Sequence, residues 1–564
     1  MINPILQAKG QIAQIVDRAA AAAIAAGDLP DCPAGEYGIE IPADHSHGDF
    51  ACNFAMAGAR TYKMAPRKIA DAIVAHAALE GTGFSRIEVA GPGFLNFFLD
   101  QSWFTGAVEA VLEEGARYGT TDLGQGKKVM VEFVSANPTG PMHLGNARGG
   151  ALGDCLASVL RWAGYDVTRE FYINDAGNQI EKFGKSLSAR YLQIVLGDDA
   201  VVFPEDGYQG ADIRVLAQQY IDEHGTGLEK ESEELRSQTL IDYALPKNIQ
   251  KLKDDLAKYR IHYDVWFHES QLHEDGSVGR IIELLRSRGL TYEKDGAVWY
   301  KATAFGDEKD EVLVRANGNP TYFAADIAYH YNKFAVRGFD WVINVWGADH
   351  HGHVARLKGA MDAVGLDGGK LDVVLMQLVR LMRGGEVARM SKRTGKAITL
   401  ADLLDEIPVD AARFFFNQRE PNTHCEFDLE LAVSESSQNP VYYVQYAHAR
   451  ICSILKSLAA EGISPRACTR EELDLLQTEQ ERELVRFMAT LPDVVNASVK
   501  ALDSSKITKY CVELATLFHK FYNACHVKGE AEGLLQARLN LCLAVRQVLR
   551  NVLEMLGISA PESM

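Results

Sequence analysis

The sequence predicts an α/β protein: a core built on a parallel sheet, with a smaller α+β domain before it and an all-helical bundle after it. An apolar run from Val129 ends in the breaker-rich segment 137–141, helical spacing follows as far as Gly164, and a second apolar run begins at Val167. That order is typical of a βαβ unit, whose two strands are parallel. Beyond Asp410 the apolar residues recur at helical spacing, which predicts the bundle.

Length and composition bound the class of protein. A chain of 564 residues suggests about three or four domains at the usual ~150 residues each. The formal net charge of −18 argues against a protein that coats nucleic acid without specificity, although one folded RNA needs only a local basic track. No apolar run approaches the ~20 residues that span a bilayer, and the N-terminus lacks a secretory signal. Nine scattered cysteines without a CxxC pair favour reduced thiols, so we expect a cytoplasmic protein.

Shifts in composition divide the chain into three predicted domains. Residues 1–115 form a small α+β domain, and a glycine-containing linker separates it from a core at residues 122–430. Within that core, residues 187–288 are helical and charge-rich. We interpret them as an insertion that contributes only the segment 263–270 to the interior. Residues 440–564 form the helical bundle.

The loop after the first predicted strand of the core carries the first candidate site. His143, Gly145 and Asn146 lie where this loop meets the helix, and the free backbone N–H groups of a helix start can bind phosphate. A short HxGN string alone is more often an ordinary connection. The longer string SANPTGPMHLGN, preceded by Glu132, closely resembles the first signature of class I aminoacyl-tRNA synthetases in its arginyl form.

This resemblance implies a Rossmann-like class I synthetase core that binds ATP, with His143, Gly145 and Asn146 at the phosphates and the first and last of these as catalytic residues. Asn146 departs from the second histidine of the usual motif. Because an amide can donate to a phosphate oxygen, we expect reduced or retuned activity at most.

The second candidate site lies in the string RANGNPTYFAADIAYH. Tyr322 and Asp326 are four residues apart, so on a helix they share one face. A carboxylate at such a position suggests a cation, and a guanidinium offers a fork of donors that suits it. An internal salt bridge or a helix cap is the alternative interpretation. The resemblance implies that the positions matching this pair contact the substrate arginine, together with Glu132, Ser135 and Asn137.

The third candidate site is the string WGADHHGH at the end of an apolar run. Three histidines within four residues suggest a metal, but their spacing does not place two of them on one helical face, and no cysteine cluster completes a tetrahedral set. We therefore predict no metal and no structural zinc. The resemblance implies instead that Gly347 and Asp349 contact the ribose of the nucleotide.

The fourth candidate site is the basic string ARMSKRTGKAITL. Four cations lie within eight residues, and a basic glycine-containing loop is suited to a polyphosphate. RMSKR resembles the KMSKS signature of class I synthetases, with arginine in place of its first lysine and of its final serine. The resemblance implies that Met390, Ser391 and Lys392 bind ATP and that Lys392 is catalytic.

Two further regions suggest an RNA partner. The glycine-containing patches at 47–60 and 91–99 resemble the N-terminal domain of arginyl-tRNA synthetases, which contacts the tRNA elbow. Tyr442, Tyr446 and Arg450 lie in a segment that resembles the anticodon-binding domain of the same family. Aromatic and arginine side chains can stack on splayed bases, although packing within the bundle would explain them equally well.

Together, these resemblances imply the activity of the arginyl-tRNA synthetase family: we expect activation of L-arginine with ATP and Mg²⁺ and its transfer to tRNA(Arg) by an arginine–tRNA ligase that acts as a monomer. Three alternatives remain open: another class I synthetase, such as the cysteinyl or methionyl enzyme; a non-catalytic tRNA-binding paralogue; and a P-loop ATPase. The last depends on the string GKS at 184–186, which lacks the first glycine of a phosphate loop.

Overall fold

The computed structural model describes residues 1–33, 35–388 and 398–564. Its N-terminal unit is a four-stranded antiparallel sheet, in the order β1-β2-β4-β3, covered by helices. Phe50, Phe84 and Phe97 pack edge to face in its core, which is where aromatic rings of a half-buried sheet are expected. The elements are α1 (Pro4–Ala26), β1 (Ile39–Glu40), β2 (Phe50–Cys52), α2 (Phe54–Tyr62), α3 (Pro66–His76), β3 (Phe84–Ala90), β4 (Phe94–Leu99) and α4 (Gln101–Glu114).

The central unit is organised around a five-stranded sheet in the order β12-β11-β5-β6-β7, in which every neighbouring pair is parallel. Its strands are largely apolar because helices cover both faces. The first half of the unit contains β5 (Lys128–Glu132), α5 (Leu144–Trp162), β6 (Asp166–Ile173), α6 (Asn178–Leu196), α7 (Ala211–His224), α8 (Glu233–Lys258), β7 (Val265–His268), α9 (Glu269–Glu274) and α10 (Ser277–Ser287).

The second half completes the sheet and adds two small three-stranded sheets, β10-β9-β8 and β14-β13-β15. A five-residue π-helical turn, Asn332–Val336, follows α11 directly. The elements are β8 (Thr291–Lys294), β9 (Ala297–Tyr300), β10 (Glu311–Val314), α11 (Tyr322–Tyr331), β11 (Trp341–Gly347), α12 (His351–Ala363), β12 (Leu371–Met376), β13 (Val379–Arg383), β14 (Glu386–Val387), α13 (Leu400–Glu406), α14 (Val409–Asn417), β15 (Cys425–Asp428) and α15 (Leu429–Val433).

The helical insertion contributes more to the interior than the predicted segment 263–270. Leu252 and Leu256 of α8 join the main hydrophobic core, and Ile281 and Leu285 of α10 pack in a second core that includes Met130 of β5. The prediction was wrong because charged residues dominate the sequence of these helices, while a single apolar stripe on each helix is enough to reach the sheet.

The C-terminal unit is a bundle of helices, as the periodicity predicts. It contains α16 (Pro440–Ala460), α17 (Arg470–Leu473), α18 (Glu479–Ala489), α19 (Leu491–Ala501), α20 (Ser505–Ala524) and α21 (Glu532–Met555). Pro492 lies in the first turn of α19, where its missing N–H group costs no hydrogen bond.

Arg413 of α14 joins the bundle to the central unit. Its side chain is fully buried, pairs with Asp154 of α5 and donates to the carbonyl of Leu556 just after α21 (2.8 Å) and to the carbonyl of Tyr259 just after α8 (3.2 Å). A buried guanidinium needs such a complete set of partners. One side chain thus holds three separate parts of the fold together.

Two global features concern the environment of the protein. Among the residues that the structure describes, no helix is both long and apolar enough to cross a membrane. All nine cysteines lie in the described part of the chain, and each is a free thiol.

Candidate active site

A cavity of about 970 Å³ lies at the C-terminal edge of the parallel sheet. This is the edge at which open α/β sheets bind ligands. The ends of β5, β11 and β12 and the start of α5 form its walls. Nine of the predicted site residues line it: Glu132, Ser135, Asn137, His143, Gly145, Asn146, Asp326, Gly347 and Asp349.

The first signature forms the N-terminal cap of α5. The imidazole Nδ1 of His143 accepts from the N–H of Gly145 (3.2 Å), and Oδ1 of Asn146 accepts from the N–H of His143 (3.0 Å). This reciprocal pair is a capping box, which fixes the helix start. Burial lowers the pKa of His143, so its imidazole is neutral at pH 7 and can accept this hydrogen bond.

The last two residues of the basic string, Thr399 and Leu400, are anchored directly at this cap. Thr399 forms an isolated antiparallel bridge with His143, and the N–H of Leu400 donates to the carbonyl of Met142 (2.9 Å). Met390, Ser391 and Lys392 lie outside the described residues. Thr399 and Leu400, which follow them in the chain, meet the first signature beside the cavity.

Arg148, about one turn further along α5, fixes the position of the chain after β12, which lines the cavity. Its buried guanidinium donates to the carbonyls of Gln377 (2.6 Å), Thr423 (3.0 Å) and Glu420 (3.1 Å), and burial lowers its pKa. Gln377 follows β12 and lines the cavity. Arg148 therefore sets the distance between the cap of α5 and the chain that leads to the basic string.

The loop after β5 adopts a strained conformation. Val134 and Ser135 have φ values of +70° and +41°, a region that non-glycine residues rarely adopt and that a β-branched side chain disfavours most. The hydroxyl of Ser135 donates to Glu132 (2.9 Å) and accepts from the N–H of Tyr172 (3.2 Å). These hydrogen bonds hold the loop in place, and such strain concentrates at binding sites.

Glu132 has a partner that the sequence did not predict. The ammonium group of Lys333 lies 2.5 Å from its Oε2, and both side chains are almost fully buried. The two acids that were expected to contact the substrate arginine, Glu132 and Asp326, define the slot, and Glu132 is already paired with a cation of the protein. No sequence pattern predicted this lysine, because it belongs to no recognisable motif. It reaches Glu132 from the π-helical turn after α11.

Asp326 contacts a histidine rather than a lysine or an arginine. Its Oδ2 lies 3.1 Å from Nε2 of His353, and about a third of its side chain is exposed to the cavity. Tyr322 lies one turn before it on α11, but it is not among the residues that line the cavity. It is 40% exposed and lies beside Gly177.

Asp349 and the neighbouring histidines lie at the rim of the cavity. The side chain of Asp349 is 81% exposed, and those of His350 and Asp349 are 3.6 Å apart. Within residues 1–33, 35–388 and 398–564, no group of three or more His, Cys, Asp or Glu side chains is arranged to hold a metal ion.

Two residues beside the slot were also missed from the sequence. Tyr172 of β6 lines the cavity, and Glu269 at the start of α9 is buried next to it. Burial raises the pKa of the Glu269 carboxyl, and the nearby negative charge of Asp326 adds to this rise. The strand-end positions of these residues were the signal that could have found them.

The predicted RNA-contacting residues form one partly exposed cluster on the bundle. The rings of Tyr442 and Tyr446 stack (6.2 Å between centroids), and the guanidinium of Arg450 lies over Tyr522 (4.2 Å). Tyr446 is 40% exposed and also packs against His519. The cluster is thus both part of the bundle and open to a partner.

The string GKS does not form a phosphate loop. It lies inside the continuous helix α6, and a side chain at Gly184 would come within 2.5 Å of Ile241. The glycine serves helix packing, and the P-loop alternative is wrong.

Comparison with known proteins agrees with this geometry. A family model described as tRNA synthetases class I (R), catalytic domain, matches residues 107–453. The DALR anticodon binding domain matches residues 444–564, and the Arginyl tRNA synthetase N terminal domain matches residues 9–99. A solved structure of Thermus thermophilus arginyl-tRNA synthetase shares the fold, with a TM-score of 0.72 and 23% identity over 97% of this chain and 99% of that one.

The class of protein that this fold and its cavity define is a class I aminoacyl-tRNA synthetase. Arginine–tRNA ligases from Acetivibrio thermocellus and Caldanaerobacter subterraneus are 53% and 55% identical to this chain over 564 residues, which is the full length of each. The chain belongs to the arginine–tRNA ligase family, and it is an ATP-dependent enzyme that attaches arginine to tRNA. The cysteinyl, methionyl and non-catalytic alternatives are thereby set aside.

Proposed function

We propose that the cavity binds ATP and arginine side by side, with one set of residues for each. The nucleotide contacts His143, Gly145, Asn146, Gly347 and Asp349, and it also contacts Met390, Ser391 and Lys392 of the basic string. The substrate arginine contacts Glu132, Ser135, Asn137 and Asp326, and Tyr322 is left out of this set because it does not line the cavity. The observation that supports this proposal is the bridge between His143 and Thr399, which joins the first signature to the described end of the basic string.

The residues suit activation of a carboxylate. The carboxylate of arginine attacks the α-phosphate of ATP and releases diphosphate, so the reaction needs no protein nucleophile, only positioning and neutralisation of charge. The capped N–H end of α5 and Lys392 supply that neutralisation. Mg²⁺ accompanies ATP. Among the described residues assigned to the nucleotide, Asp349 is the one carboxylate. The phosphates and water would therefore supply most of the ligands of Mg²⁺.

The arginyl group then passes to the terminal adenosine of tRNA(Arg), and AMP is released. We infer that the partly exposed cluster of Tyr442, Tyr446 and Arg450 contacts bases of the anticodon loop, because each offers a flat face for stacking. The N-terminal unit would contact the tRNA elbow. We further expect a monomer that acts in the cytoplasm, and light scattering of the purified enzyme tests its oligomeric state.

A pair of matched substitutions tests the assignment of the two subsites. Asp326→Asn removes a charged acceptor from the arginine subsite, so KM for arginine should rise about tenfold or more while KM for ATP changes little. Asp349→Asn makes the same chemical change at the nucleotide subsite and should raise KM for ATP instead. Equal effects of the two variants on both substrates would refute the assignment.

A further inference from the structure

The buried pair of Lys333 and Glu132 has a consequence for substrate selection. The Lys333 ammonium is fully enclosed by Glu132 (2.5 Å), the side-chain oxygen of Asn344 (3.2 Å) and the face of the Tyr329 ring (4.1 Å to its centroid). No part of this lysine reaches solvent or the cavity. It therefore acts on the site only through the groups that it contacts.

The carboxylate of Glu132 is held from two sides. Lys333 contacts Oε2, and the hydroxyl of Ser135 donates to Oε1 (2.9 Å). A carboxylate has about four lone-pair positions. Two of them are used here, and Glu132 still lines the cavity. Its remaining acceptor capacity is therefore presented to a ligand from a fixed side chain.

The geometry of the backbone explains how Lys333 reaches this position. The π-helical turn Asn332–Val336 continues α11, which carries Asp326. The same turn leads to Arg337, which pairs with the buried Glu170 of β6. A π-helical turn shifts the register of the helix, and such turns are frequent at functional sites. The turn therefore directs two cations of one helix towards two acids of the sheet.

The positive charge of Lys333 also bears on the substrate. Glu132 and Asp326 place two negative charges at the cavity, and Lys333, which lies behind Glu132, offsets one of them. Free arginine at neutral pH carries an ammonium, a guanidinium and a carboxylate, which leaves one net positive charge. A slot with two unopposed acids would pay a large desolvation penalty before any ligand bound.

We propose that Lys333 is a positioning residue for arginine binding: it holds the carboxylate of Glu132 in one conformation, and its positive charge offsets one of the two negative charges assigned to the arginine subsite. This inference rests on the assignment of Glu132 and Asp326 to the arginine subsite. Lys333 touches neither substrate, and Glu132 is the one of its three contacts that is assigned to the arginine subsite, so we expect its substitution to change arginine binding through Glu132.

Three variants of the full-length enzyme test this role: Lys333→Met, Glu132→Gln and the double variant. KM for arginine and KM for ATP are measured in aminoacylation with saturating tRNA, and thermal melting is recorded for each variant. We expect Lys333→Met to raise KM for arginine about tenfold or more through misplacement of Glu132, with KM for ATP within about twofold. Lys247→Met, which removes the lysine of an exposed pair with Glu223, is the matched control and should change neither value.

The double variant separates positioning from mere stabilisation. Lys333→Met alone leaves a buried charge without a partner and should lower the melting temperature, whereas the double variant removes both charges and should recover most of that loss. Because Lys333 acts through Glu132, KM for arginine in the double variant should equal that of Glu132→Gln. If the double variant instead shows the product of the two single effects on KM for arginine, the proposal is overturned. It is also overturned if Lys333→Met raises KM for arginine and KM for ATP equally.

Failure of this inference is distinguishable from failure of the proposed function. If Asp326→Asn raises KM for arginine but Glu132→Gln does not, the subsite stands and the role of Lys333 is refuted. If neither variant changes KM for arginine, the assignment of the arginine subsite itself is wrong.

Discussion

The Oδ1 atom of Asn146 accepts a hydrogen bond from the backbone N–H of His143 at 3.0 Å. This contact gives a physical reason for an asparagine where the usual motif has a second histidine. The oxygen of the amide is used by the cap, so its NH₂ group is left to donate towards the cavity, which Asn146 lines.

Two substitutions at Asn146 separate these roles. Asn146→Ala should lower both turnover and the free energy of unfolding, the latter by about 1 kcal/mol, as for loss of a helix cap. Asn146→Asp keeps the acceptor for the N–H of His143 but loses the donor and adds a negative charge. Its turnover should therefore fall while its stability in urea is maintained. A fully active Asn146→Asp variant would show that the amide of Asn146 does not donate to the phosphates.

Substitution of Arg148 should disturb the nucleotide side of the cavity. Arg148→Met leaves three carbonyls without their donor, and each buried unsatisfied group costs about 1–3 kcal/mol. We expect a lower melting temperature and a higher KM for ATP, with a smaller change in KM for arginine. Arg148→Lys keeps the charge but cannot span all three carbonyls, so its values should lie between those of Arg148→Met and the parent. An unchanged KM for ATP in Arg148→Met would show that this clamp does not shape the cavity.

Lys392→Ala tests the basic string without reference to its conformation. If this lysine neutralises charge at the phosphates in the transition state, turnover should fall by about a hundredfold or more. The affinity for tRNA, measured by filter binding, should stay the same. Lys247→Ala in the helical insertion is the control for loss of one lysine. Parallel losses of turnover and of tRNA affinity would place Lys392 at the RNA instead.

The bundle should lose stability in mild acid through His519. Burial, and then the nearby positive charge of Arg450, lower the pKa of this histidine to about 4. The unfolded chain takes up a proton near pH 6.5, whereas the folded chain does so only near pH 4, so stability is lost as the pH falls through this window.

Urea unfolding of the parent and of His519→Gln at pH 7 and pH 5 measures this contribution. The variant should lose less of its free energy of unfolding between the two pH values than the parent does. Equal losses would mean that other groups account for the acid sensitivity.

The fold was largely predictable because its signals are local. The break at 137–141 and the apolar runs around it place the strand β5 and the helix α5, and motif order places the ligand edge of the sheet. The charge state of the slot was not predictable in the same way. The partners of Glu132 and Asp326 come from a π-helical turn and from α12, and contacts between distant segments leave no periodicity in the sequence.

The role of the histidine-rich string was only partly predictable. Its spacing argued against a metal, but nothing in the string indicated that His353 would contact Asp326, because 27 residues separate the two along the chain. Likewise, the strain at Val134 depends on backbone angles that the surrounding loop imposes, and valine itself does not favour them.

Arg413 limits how far this enzyme could be trimmed. A fragment that ended before the bundle would lack the carbonyl of Leu556. It would also expose to water the guanidinium of Arg413, which is fully buried in the intact chain. Attempts to produce the ATP-binding half alone should therefore yield aggregated material. If the C-terminal bundle were replaced by that of another protein, in evolution or in the laboratory, the new bundle would have to provide a hydrogen-bond acceptor for Arg413.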